Sequence, residues 1–103
     1  MAHSYSRSIP RAWSAVARVF VALGDPHRQR ILLMFEKGER LNVSEIAAAS
    51  ALSRPAISYH LKILRQAGVL SSEKRGREVY FWVNRARLES ALGAVADYVR
   101  ENA

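Results

Sequence analysis

Two groups of side chains in this 103-residue chain have types and spacing suited to a polyanion. The first is Ser53, Arg54, Pro55, Ser58, Tyr59, Lys62 and Arg65, and the second is Lys74-Arg75-Gly76-Arg77. Turned by about 100° per residue, Pro55, Ser58, Tyr59 and Lys62 share one helix face, Arg54 and Arg65 flank it, and Ile57, Leu61 and Leu64 lie opposite. A helix that enters the major groove needs this division: short donors and acceptors for base edges, cations for phosphates. Ser58 can donate or accept at any base. Tyr59 offers a ring to a thymine methyl and a hydroxyl to an edge. Arg54 suits a bidentate contact to guanine, and Lys62 and Arg65 suit phosphate. Three cations around a glycine turn have no packing role and fit the minor groove or its flanking phosphates. The bland counterparts are a solvated helix face and a charged turn that blocks edge pairing. The two clusters lie in one third of the chain, and that coincidence favours nucleic acid.

Charge agrees. The chain carries sixteen Lys and Arg against nine Asp and Glu, a net charge of +7. Residues 53–87 hold +6 of it, residues 1–52 hold +3, and residues 88–103 hold −2. Other chemistry is excluded. With no cysteine there is no disulfide, thiolate metal site or thiol nucleophile. Ser53, Ser58 and His60 lie close in sequence, but Ser53 is suited to capping a helix. His60 points about 160° away from Ser58. No catalytic constellation and no cofactor are therefore expected. The longest uncharged stretch, Ile46 to Ser53, is far short of a membrane span of about 20 residues. Arg7, Arg11 and Arg18 interrupt any leader-like run, so a cytoplasmic protein is expected.

Simple elements must hold these groups. Ile9, Trp13, Val16, Phe20 and Leu23 recur at helical spacing, with Pro10 suited to a first turn and Gly24 to an end. Asp25-Pro26 starts a second helix, with Ile31, Leu32 and Phe35 on its apolar face and Gly38 as its stop. Asn42 with Glu45 resembles a capping box for a short third helix. Ser53 caps a fourth, which Gly68 ends. Strands over Ser71–Lys74 and Glu78–Val83 flank the basic turn. Alternation puts Val79, Phe81 and Val83 on one face and Tyr80 and Trp82 on the other, a docking patch unless the last helix or a second copy covers it. Asn84 caps a final helix with Leu88, Leu92, Val95 and Val99 on one stripe. The predicted fold is mainly α with a small β-hairpin, ordered α-α-α-α-β-β-α: a winged helix-turn-helix. One domain is expected over 1–103, with the helix-turn-helix at about 43–67, the wing at about 70–83 and dimerisation helices at about 9–23 and 85–101. Because a compact helix-turn-helix does not need both terminal stripes, Trp13, Val16 and Phe20 are expected to meet Leu88, Leu92, Val95 and Val99 across a two-fold axis.

The residues Ala22-Leu23-Gly24-Asp25-Pro26-His27-Arg28-Gln29-Arg30-Ile31-Leu32 resemble the A-L-x-D-P-T-R-x-x-I-L signature of the ArsR-type winged-helix repressors. Ser44–Ala47 with Leu52–Leu64 resembles that family's helix-turn-helix. Ala67–Leu70 and Arg75–Phe81 resemble its strand entry and wing. The resemblance spans residues 20 to 83. It implies a homodimeric transcriptional repressor on a palindromic DNA operator, with Arg54, Pro55, Ser58 and Tyr59 at the base-reading positions. Pro55 departs from the polar residue often found there.

Many members of that family release DNA on binding metal. At one such site this chain has Asn42 and Ser44 in place of cysteines. At the other it has Asn84, Ala86, Asp97 and Arg100, where only Asp97 is a competent ligand. His3, His27 and His60 are too scattered in sequence to suggest a metal site, and His60 is expected to be packed or hydrogen-bonded. The resemblance is nearest to the compact, cysteine-free autorepressor type, which leaves a protein antagonist or another effector open. The competing readings are a winged-helix protein-interaction module without DNA binding and a small-molecule-responsive repressor.

Overall fold

The computed structural model describes residues 8–103. His3 and Arg7 lie outside the described residues. A 3-10 turn over Arg11–Trp13 leads into α1 (Ser14–Leu23), followed by α2 (Pro26–Leu32), β1 (Leu41–Asn42), α3 (Val43–Ala48), α4 (Arg54–Gln66), β2 (Leu70–Arg75), β3 (Glu78–Val83) and α5 (Arg85–Asn102). The strands form one antiparallel sheet in the order β1-β3-β2. The expected mainly helical winged helix-turn-helix is the fold observed.

Local chemistry sets most boundaries. Asp25 caps α2: its carboxylate accepts from the amides of His27 (2.7 Å) and Arg28 (3.4 Å), and Pro26 fills the first helical position. The capping box is complete at α3. Asn42 Oδ1 accepts from the Glu45 amide (2.8 Å), and Glu45 Oε1 accepts from the Asn42 amide (2.9 Å). Ser53 caps α4 by accepting from the Ala56 amide (3.3 Å), and Asn84 caps α5 by accepting from the Arg87 amide (3.1 Å). After α4, Gly68 takes a left-handed φ of 80°. That conformation lets the Val69 amide reach back to the Leu64 carbonyl (2.9 Å), so the chain leaves the helix within one turn. Gly76, at φ 62°, is the first of two residues between paired Arg75 and Glu78. This is the place a type II′ hairpin turn reserves for glycine.

Two boundaries and one strand differ from expectation. The first helix begins at Ser14, not near Ile9, because the ring of Pro10 disfavours a helical conformation at the residue before it. The second ends at Leu32, not at Gly38. The amides of Met34 and Phe35 close i-to-i+3 turns onto Ile31 and Leu32, and Gly38 sits in a later turn at φ 73°. The sheet has a third strand: Leu41 and Asn42 pair with Phe81 and Tyr80.

The core joins every layer. Val19 and Ala22 of α1, Ile31 of α2, Ile46 of α3, Ile57, Leu61 and Leu64 of α4, Leu70 and Phe81 of the hairpin and Ala91 of α5 are all buried. Each fully buried aliphatic side chain contributes about 1.5–3 kcal/mol of transfer free energy, so α4 is anchored by its inner face alone. α1 packs on α2, α4 and α5, and α4 packs on α3 and β2. The chain is nevertheless drawn out, 57 × 25 × 22 Å, with a radius of gyration of 16.1 Å against about 13 Å for a typical 100-residue domain.

Candidate nucleic-acid interface

Burial divides α4 as its periodicity predicts. Ile57, Leu61 and Leu64 are buried, whereas Arg54, Pro55, Ser58, Tyr59, Lys62 and Arg65 are exposed. Tyr59 is 60 % exposed, so its ring and hydroxyl are available to a partner. Ser53 is exposed but its hydroxyl oxygen is engaged as the cap. In the hairpin, Lys74, Arg75, Gly76 and Arg77 are all exposed. Arg75 lies 3.7 Å from Glu73, which also accepts from Arg40 (3.0 Å). Among the described residues Lys74 and Arg77 have no carboxylate partner.

Arg54, expected to make a bidentate contact to guanine, is exposed and also bonded within the chain. Its Nη1 donates to Ser44 Oγ at 2.9 Å, joining the first turn of α4 to the first turn of α3. Beside this bond is a cavity of about 160 Å³ that Arg77 and Glu78 also line. Ser44 is exposed beside Arg54, a placement that its position in the sequence does not announce.

The inner edge of α4 carries a polar anchor. His60 is only 9 % exposed, and its Nδ1 lies 3.3 Å from Arg28 Nη1. A guanidinium only donates, so Nδ1 accepts and the neutral ring carries its proton on Nε2. Burial lowers the His60 pKa below the usual imidazole value, Asp25 opposes that shift, and Arg28 and His27 reinforce it. Arg28 also donates to the carbonyls of Ala22 (2.6 Å) and Val21 (3.5 Å) and lies 3.8 Å from Asp25. Partial desolvation raises the pKa of Asp25, but the His27 and Arg28 amides and the Arg28 charge outweigh it, and the net shift is downward.

The histidines are less scattered than their sequence positions imply. The rings of His27 and His60 are 5.7 Å apart. Each Nδ1 faces a guanidinium, that of Arg30 (3.5 Å) and that of Arg28, an unfavourable setting for a cation. Among the described residues no three His, Asp or Glu side chains come together as a metal-ligand set. Asn42 and Asn84 are engaged as caps, and Asp97 is paired with Arg100. On the outer face of the hairpin, the Arg40 guanidinium lies 3.9 Å over the Trp82 ring and covers that part of the expected docking patch.

The seven residues proposed for pairing fall into two sets. Val16 and Leu88 pack against the core, and Trp13 meets Tyr98 edge-on at 6.0 Å, so α1 and α5 already touch within one chain. Phe20, Leu92 and Val99 are exposed, and Val95 is half-buried. Ile9, Val21 and Tyr98 add exposed apolar surface on the same two elements and the turn before them. Among the described residues no helix is long and apolar enough to cross a membrane.

A helix-turn-helix with an exposed polar reading face, followed by a basic hairpin, defines a winged helix-turn-helix DNA-binding regulator. A family profile described as "Bacterial regulatory protein, arsR family" matches residues 25–72. The chain is 32 % identical over 83 residues to the transcriptional repressor SdpR of Bacillus subtilis, covering 81 % of this chain and 91 % of that one. Its structure is similar to that of an ArsR-like transcriptional regulator from Rhodococcus sp. RHA1, with a TM-score of 0.79, 30 % identity, and coverage of 87 % of this chain and 84 % of that one. It is also similar to a homodimeric winged helix-turn-helix DNA-binding domain from Mycobacterium bovis, with a TM-score of 0.69, 29 % identity, and coverage of 95 % and 92 %. The chain belongs to the arsR family of bacterial regulatory proteins and is a DNA-binding transcriptional regulator.

Proposed function

We propose that the protein is a cytoplasmic, homodimeric repressor that binds a palindromic operator and does not respond to metal. The observation that carries this reading is the division of α4, apolar and buried on one side and exposed through Ser58, Tyr59, Lys62 and Arg65 on the other, next to the cations of the hairpin. Ser58 and Tyr59 set base preference. Lys62, Arg65, Lys74, Arg75 and Arg77 hold phosphates. Residues 1–103 act as one DNA-binding unit. Pairing is supported by the exposed apolar residues of α1 and α5 and by an open apolar hollow of about 300 Å³ bounded by Ile9, Trp13 and Tyr98. A two-fold dimer sets its reading helices about 34–36 Å apart, one turn of DNA.

Fluorescence anisotropy on a duplex selected from a random pool tests this. Tyr59→Ala and Ser58→Ala each shift base preference by about 1–3 kcal/mol, the worth of a good base-edge interaction. Chelator, and then zinc, nickel, cobalt or arsenite, changes affinity less than tenfold, which is about 1.4 kcal/mol of coupling. Unaltered preference in both variants refutes the reading face. A larger, chelator-reversible metal effect refutes metal independence.

A further inference from the structure

We propose that Ser44, Arg54 and Arg77 form a seat for a single backbone phosphate of DNA, so that Arg54 positions the recognition helix and does not read a base. The seat rests on the DNA-binding reading above. It is built where three elements meet: the first turn of α3, the first turn of α4 and the hairpin turn. Arg54 and Arg77 are 23 positions apart in sequence, yet both line the same cavity of about 160 Å³. At about 30 Å³ for each water this space holds about five, enough for a phosphate group that replaces them.

The donors are ready. Ser44 Oγ accepts from Arg54 Nη1, which leaves the serine O–H free to donate. That same bond fixes the guanidinium across the cavity, and its remaining N–H groups are committed to no carboxylate among the described residues. A guanidinium held in place loses less freedom on taking up a phosphate oxygen than one sweeping solvent. Two guanidiniums facing one cavity repel each other, and packing gives no reason for the arrangement, because both side chains are exposed. An anion between them removes the repulsion. Glu78 also lines the cavity, and its carboxylate accepts from the side-chain Nδ2 of Asn42. The cavity's charged groups therefore sum to about one positive charge, matched to one phosphodiester.

The test measures anisotropy of labelled 30-base-pair duplexes against salt, one selected from a random pool by the wild-type protein and one of shuffled sequence. Arg54→Gln and Arg77→Gln each weaken both duplexes by the same factor, about tenfold for each of the two seats in a symmetric dimer and so about a hundredfold in all, as expected when a charge-assisted hydrogen bond is removed from each. The ratio between the duplexes is unchanged, and the slope of log K against log salt falls by about 0.9 for each phosphate no longer neutralised. Because the two arginines share a phosphate, the double variant weakens binding by less than the product of the single effects. Glu78→Gln strengthens both duplexes alike. Single methylphosphonate replacements find a phosphate whose neutralisation weakens the wild type more than it weakens Arg54→Gln or Arg77→Gln, and weakens the double variant least. A changed ratio with Arg54→Gln, or multiplicative single effects, overturns the seat while DNA binding stands. Failure of the wild type to bind either duplex at low salt overturns both.

Discussion

Leu92→Ala on α5 removes three carbons from a side chain that is 59 % exposed in one chain. At about 0.8 kcal/mol per buried CH₂, those carbons carry about 2.4 kcal/mol, and the exposed share leaves about 1.4 kcal/mol to be gained when a second copy covers them. An isologous interface uses the position twice, so the variant forfeits about 2.8 kcal/mol of association. That is about a hundredfold in the dimer dissociation constant. Sedimentation of a fluorescently labelled protein from nanomolar to tens of micromolar reads it directly. By the same arithmetic Phe20→Ala, which removes six carbons at 43 % exposure, should show a larger shift in the same direction, and Val99→Ala, which removes two at 51 %, a smaller one. Ser90→Ala, an exposed polar position on the same helix, serves as the comparison. A Leu92→Ala constant within threefold of wild type, or a wild type that stays monomeric at tens of micromolar, refutes the assignment of this face.

Two further outcomes concern the scaffold. Burial depresses the His60 pKa, so the unfolded chain takes up a proton first as pH falls below about 6.5; stability should drop through that window, and His60→Gln should flatten the drop in melting temperature measured from pH 7.5 to 5. A steeper fall in the variant than in wild type contradicts this. Gly68→Ala forces a left-handed conformation on a residue with a Cβ and brings that atom to 3.0 Å from the Arg87 guanidinium; the side chain can swing away, the backbone cannot, and urea unfolding should show a destabilisation of about 1–2 kcal/mol. An unchanged midpoint would show that the turn after α4 relaxes freely.

The sequence carried the long-range plan because its signals were local and repeated. Ile57, Leu61 and Leu64 mark a buried stripe by period alone, and Asp25, Asn42, Ser53 and Asn84 mark helix starts by type and position. What stayed illegible depends on neighbours distant in sequence. Leu41-Asn42 is too short to show alternation, and it becomes a strand only because Phe81 and Tyr80 lie beside it. Arg54 has the residue type of a base reader, and its bond to Ser44 follows from how α3 sits against α4. The proximity of His27 and His60 is set by the packing of α2 on α4. Arg40 reaches Trp82 only through the fold of the sheet edge. The exposed share of the first and last stripes was equally hidden, since periodicity marks an apolar face without saying how much of it one chain covers.

Arg28 has a consequence for the spacing of DNA half-sites. Its guanidinium holds the last turn of α1 through two carbonyls and the middle of α4 through His60. The helix assigned above to part of the pairing surface and the helix assigned to the groove are thereby joined by a short, branched strut. In a two-fold dimer the gap between the two reading helices is then a rigid calliper. One inserted base pair moves a half-site by about 3.4 Å and turns it by about 34° around the duplex axis. A calliper with no joint at α1–α4 has to meet that change by bending the DNA, so operators of altered spacing are discriminated by duplex stiffness as well as by base contacts.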